Sequence, residues 1–147
     1  MQGDCVWALD EPHLVNFMTP RDCPRITFGL AADTTPEDAA RFLHGARRVV
    51  AFEKEWLERL KACTLYIYEM PAERFELALP EAGYWIARTS VKPISVRIVQ
   101  DVMGELIAQG AEVRVLQDFW PLCDQVAAST LEFSISRKRN ARPRRGS

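Results

Sequence analysis

A chain of 147 residues, 48% hydrophobic and 27% charged, with a formal net charge of −1, has the composition of one folded domain and excludes disordered and fibrous classes. A domain of this length buries roughly 68% of its unfolded surface and needs neither disulfides nor a metal to hold it. No apolar run approaches the ~20 residues of a bilayer span. The opening "MQGDCVWALD" has no basic start and no long apolar stretch, so the expectation is a cytoplasmic protein without a membrane partner.

The four cysteines, Cys5, Cys23, Cys63 and Cys123, form no Cys-x-x-Cys, and His13 and His44 stand at none of the usual zinc spacings. A reduced protein without a structural metal is expected. Cys23 alone lies in a polar loop, which makes it the candidate reactive thiol. Charge is uneven. Residues 137–147, "RKRNARPRRGS", hold six of the 19 basic residues and no acid, so residues 1–136 carry 13 basic against 20 acidic groups. The division expected is a single domain over 1–136 and a basic flexible tail over 137–147.

In chain order, "CVWAL" reads as a short buried strand. Asp10 then caps a short helix with Pro12 in its first turn, and Pro20 ends it. "RITFGL" is a second strand, entered through Pro24. "TTPEDAARFLHG" has Thr35 as N-cap, Pro36 at the first position and Gly45 as a stop. A longer helix is expected near 46–62, because Val49, Phe52, Trp56, Leu60 and Cys63 recur at intervals of three and four. "TLYIYEM" is a strand, and "AERFELAL" a turn or two of helix. "GYWIAR" and "ISVRIV" are strands, and "QDVMGELIAQG" is a helix capped by Asp101 and ended by Gly110. "EVRVL" is a strand, "DFWPLCDQVA" partly helical, and "STLEFSIS" a closing strand. Six or seven short strands and four or five helices without strict alternation give an α+β domain with a mixed or antiparallel sheet.

No Gly-x-Ser-x-Gly, Walker-type loop or Gly-x-Gly-x-x-Gly occurs, so no cofactor is evident and a glycine cradle for ATP is not expected. Four groups carry polar chemistry. In "TPRDCPR", Arg21 and Arg25 are four apart with Asp22 between them. Their forks converge on a phosphate or carboxylate, or the loop pairs with itself as a rigid corner. Trp7, Asp10 and His13 span the first strand-to-helix junction, where Asp10 and His13 handle a proton or orient a hydroxyl. Their ordinary roles are core tryptophan, helix cap and solvated histidine. Glu132, beside Ser129, Thr130, Ser134 and Ser136, is the weak catalytic candidate; such residues are otherwise the outer face of an edge strand. In the tail, Arg137, Lys138, Arg139 and Arg142 offer a nucleic-acid contact through phosphates alone, since no aromatic interleaves them. Trp56, Tyr66, Tyr68, Tyr84, Trp85 and Trp120 are expected in core and rim.

The stretches "VWALD", "FMTPRDCPR", "TTPEDAARF", "WLERLKACTLYIYEMP", "GYWIARTSVKPISV" and "STLEFSISRKRNA" resemble, in that order, a family of small bacterial proteins that carries a domain-of-unknown-function label. The likeness runs over about residues 5–141. Relatives of that kind open with an earlier strand bearing a Tyr-His-Phe-Ser-like stretch. That layout is similar to the start of ADP-ribosyltransferase-like folds, whose early histidine holds the ribose of NAD. Here Met1-Gln2-Gly3 lead straight to Val6-Trp7-Ala8, and His13 does not match the histidine's place.

Three functions follow as expectations. The first is a binding module for an anionic small molecule or nucleotide near Arg21 and Arg25. The second is an NAD-using transferase with Glu132 as its carboxylate and Trp7 or Tyr84 stacking a ring. The third is a nucleic-acid accessory protein acting through its tail.

Overall fold

The structure is a computed structural model that describes residues 4–145; residues 1–3 of the expected domain and 146–147 of the expected tail lie outside it. It is an α+β domain with nine strands in three small sheets, mixed in direction. The strands are β1 (Val6–Leu9), β2 (Arg25–Gly29), β3 (Arg48–Glu53), β4 (Leu65–Glu69), β5 (Glu76–Leu79), β6 (Tyr84–Ala87), β7 (Ser95–Val99), β8 (Ala111–Leu116) and β9 (Glu132–Ser136). The helices used below are α1 (Pro36–Asp38, continued by a π turn over Ala39–Leu43), α2 (Leu57–Ala62), α3 (Val102–Ala108) and α4 (Phe119–Ala127).

The central sheet runs β8-β3-β2-β9, parallel between β3 and β8 and antiparallel elsewhere. Both of its faces are covered. Val50 and Phe52 of β3 join Val15, Met18, Leu60, Val102 and Leu106 on one side. Val49 and Ala51 join Ile26, Phe28, Phe42, Phe119 and Val126 on the other. A strand buried on both faces reads as a continuous apolar run. This corrects the helix expected near 46–62: residues 48–53 are β3, a 3-10 turn spans Lys54–Trp56, and only α2 is helical. The three-and-four spacing of Val49, Phe52 and Trp56 arises because adjacent β3 residues feed opposite cores. "AERFELAL" likewise gives a 3-10 turn over Ala72–Arg74 and then β5, which pairs with β6.

Two smaller sheets flank the centre. One runs β1-β6-β5; the other is the ribbon β4-β7. β1 pairs with β6 on one side only, and β4 with β7 on one side only. The segment Glu11–Phe17 between β1 and β2 is a 3-10 helix with Asp10 as its N-cap. It delivers Val15 and Met18 to the first core.

The described part of the tail packs on the body. The carbonyl of Arg142 accepts from the indole of Trp120 at 2.7 Å, and the backbone N–H of Arg142 donates to both oxygens of Glu53 at 3.2 Å. Arg144 makes a two-pronged pair with Asp124 at 2.7 and 2.9 Å and lies over the Trp120 ring. Asn140 donates to the carbonyl of Asp22 at 2.7 Å. No helix among the described residues is long and apolar enough to cross a membrane.

Candidate functional site

The first strand-to-helix junction gathers polar side chains from three distant parts of the chain, residues 10–16, Arg48 and Glu132. Asp10 caps the 3-10 helix by accepting from the His13 backbone N–H at 3.2 Å. One turn of that helix brings the His13 ring back over its own cap, with Nδ1 2.6 Å from Asp10 Oδ1. The other ring nitrogen, Nε2, is 2.7 Å from Glu132 Oε1. Arg48 of β3 donates to the same oxygen at 2.5 Å and to Asn16 Oδ1 at 3.2 Å. The side chains of His13 and Arg48 are largely shielded, and those of Asp10 and Glu132 keep part of their surface.

Two glycines make room for this cluster. Gly29 of β2 lies between Arg48 on β3 and Glu132 on β9, in register with both. With no side chain there, the guanidinium crosses over β2 to the glutamate two strands away. A Cβ at Gly29 would sit 3.1 Å from Arg48 Nη2 and 2.9 Å from the Arg47 carbonyl. Gly83, just before β6, has φ +68° and accepts the Asp10 N–H at 3.0 Å. A Cβ there would sit 2.3 Å from His13 Nδ1 and 2.7 Å from Asp10 Oδ1.

Ionised carboxylates only accept hydrogen bonds. An imidazole bonded to two of them donates from both nitrogens, or one carboxyl carries the proton. Either way the ring bridges Asp10 and Glu132. His13 and Arg48 sit directly against the two carboxylates. Such bonds are short and charge-assisted. The arrangement fixes Asp10 in place and backs it with a chain of His13, Glu132 and Arg48.

Asp10 is the member that reaches open space. A cleft of about 1260 Å³ lies between β1 and β4 and is lined by every residue of both strands. Edge strands carry backbone groups without ladder partners beside their side chains. Trp7, 60% exposed, meets Tyr84 edge-on at 5.9 Å, and Tyr84 meets Phe17 in the same way. Tyr66 and Tyr68 are more than half exposed on the other wall. Trp85 also lines the cleft, and its indole N–H is buried without an acceptor among the described residues. Sequence alone expected core and rim for these aromatics. Strands of two different sheets, β1 and β6 of one and β4 of the other, bring them to one hollow, a tertiary event that spacing does not record.

The expected site residues therefore divide. Trp7, Asp10 and His13 stay together, and Glu132, considered separately in the sequence, joins them through the sheet register. Arg48 and Asn16 were not foreseen; the one available signal was Gly29, a glycine inside a strand pattern, which marks close approach. The loop at Arg21–Arg25 is a corner. Arg25 is 4% exposed, and its guanidinium donates to the carbonyls of Asn16, Arg21 and Cys23 at 3.1–3.3 Å and lies over Phe17. Burial lowers its affinity for its proton. Arg21 and Asp22 stand exposed. Cys23, the candidate thiol, is fully buried, and burial pushes it up to about 12, so the reactive-thiol expectation is corrected. In the tail, Arg142 is occupied by Gln117, Glu53 and Glu55; Arg137, in the left-handed region, precedes a 3-10 turn holding Lys138 and Arg139. Among the described residues, no group of three His, Cys, Asp or Glu is placed to hold a metal ion.

Residues 1–141 match the family described as "Family of unknown function (DUF6886)". The match covers nearly the whole chain, and the chain belongs to that family. No curated protein and no solved structure matches it.

Proposed function

We propose that this DUF6886 protein is a binding module for a small ring-bearing ligand of the nucleoside kind, seated in the β1–β4 cleft with Asp10 taking its hydroxyl or amino donors. One observation carries the proposal. A carboxylate held by a four-member polar chain opens beside exposed aromatic rings in a hollow large enough for such a molecule. Ligand sites of this sort pair apolar and aromatic walls with a few fixed polar groups. Arg25 is spent on internal carbonyls, so a phosphate clamp with Arg21 finds less support than a ring site.

NAD belongs in the same test as the ligand of the second reading. Glu132 does contact His13, whose other ring nitrogen meets Asp10, which favours keeping it. Asp10, however, is the carboxylate of that cluster on the cleft wall. A thermal-shift screen of the full chain with adenosine, guanosine, uridine, NAD and pyrophosphate tests the proposal. A ligand at 100 times its dissociation constant stabilises by about 2.7 kcal/mol. The expected result is stabilisation by a ring ligand, lost in Trp7→Ala, whose own melting temperature stays near wild type because Trp7 is exposed. No response to any ring ligand, or a response untouched by Trp7→Ala, removes the proposal.

A further inference from the structure

We infer that the ligand of the β1–β4 cleft is an organic cation, a ring bearing a fixed or protonated nitrogen. The inference rests on the cleft being a ring site and adds the ligand's charge. Four side chains that are charged at neutral pH line the hollow: Asp10, Glu11, Glu69 and Arg97. Arg97 is already answered, because its two terminal nitrogens sit on the two oxygens of Glu105 at 2.8 and 3.1 Å. Its positive charge is therefore neutralised inside the protein. Glu69 accepts from Ser95 at 3.2 Å, which leaves its charge uncompensated. Among the described residues no cationic group stands within ion-pair distance of Glu11 or Glu69. The hollow thus presents the carboxylates of Glu11 and Glu69 with their charge unanswered.

The aromatic walls point the same way. Elsewhere this protein covers ring faces with arginine: Arg59 on Trp56, Arg144 on Trp120 and Arg41 on Phe42. Trp7, Tyr66 and Tyr68 line the cleft more than half exposed, and no arginine among the described residues lies over them. Open indole and phenol faces beside carboxylates attract a cation through the ring quadrupole and through direct charge. A phosphate in the same place meets the unanswered carboxylates of Glu11 and Glu69. The ligand class that fits is a cationic heterocycle, such as an N-methylated base, or an aryl ammonium.

Titration of the full chain with adenosine, 1-methyladenosine (cationic at neutral pH) and adenosine monophosphate tests this. The expected order is 1-methyladenosine at least tenfold tighter than adenosine, and the monophosphate weakest. Raising salt to about 0.5 M narrows the gap, since exposed charges are screened. In the double variant Glu11→Gln, Glu69→Gln the ratio of 1-methyladenosine to adenosine affinity falls several-fold; both side chains are exposed, so the fold is kept. Equal affinities, or the monophosphate tightest, overturn the inference and leave the ring site standing. Binding of a neutral or anionic ring ligand where 1-methyladenosine fails overturns it in the same way. Failure of every ring ligand removes both.

Discussion

Gly29 and Gly83 decide whether the polar cluster exists. Each occupies the place where a side chain would displace a member of it. At Gly83 the left-handed backbone adds a cost of roughly 1–2 kcal/mol for any L residue, and a Cβ would meet His13 at 2.3 Å. Gly83→Ala is therefore expected to lower stability by about 2 kcal/mol or more and to separate His13 from Asp10. Gly29→Ala keeps its strand geometry and must push Arg48 and the Arg47 carbonyl aside. The expected loss is smaller, with the histidine ring signals changed in both variants. Denaturant melts and histidine side-chain NMR read the two effects; ring signals identical to wild type in both variants would refute the placement. Asp10 and His13 were legible as a pair because they stand at i and i+3 of a cap. Glu132 was legible only as a carboxylate near hydroxyls, since its partner lies 119 residues away.

At the scale of elements, strands whose sequence alternates were readable, and β3, which is apolar on both faces, was not. β4 shows alternation, with Leu65 and Ile67 packed on the first core and Tyr66 and Tyr68 exposed. β3 shows none, and its apolar run imitates a helix face. The C-terminal strap is the second element whose role was hidden. Its six basic residues suggested a solvated end, yet their function depends on what the body offers. Glu53 closes β3 with 1% of its surface exposed, and the Arg142 backbone N–H satisfies it. Composition cannot announce a buried carboxylate waiting for a backbone donor. Removing residues 137–147 leaves Glu53 buried and short of partners, a loss of about 1–3 kcal/mol or more for a charged group. The truncation should destabilise by at least that amount, and Glu53→Gln should cost less in the truncated chain than in the full one. A truncated protein with an unchanged denaturation midpoint would contradict the role given to the strap.

The whole molecule is a four-stranded sheet between two cores, with two smaller sheets whose edges border one hollow. Composition and element types were sufficient for an α+β domain. The hollow was not, because it lies between strands that are edges of different sheets, and no residue spacing encodes that. Large aromatics stay exposed on its walls in a domain with well-filled cores: Trp7, Tyr66 and Tyr68 face the cleft. The measurement that tests this most directly is an amide chemical-shift map of the full chain titrated with the ring ligand that stabilises it best. The account predicts that the perturbed residues cluster on Val6–Asp10, Leu65–Glu69 and Tyr84–Trp85, with Asp10 among the largest. Shifts confined to Arg21–Arg25 or to residues 137–145 would place the ligand elsewhere and contradict it.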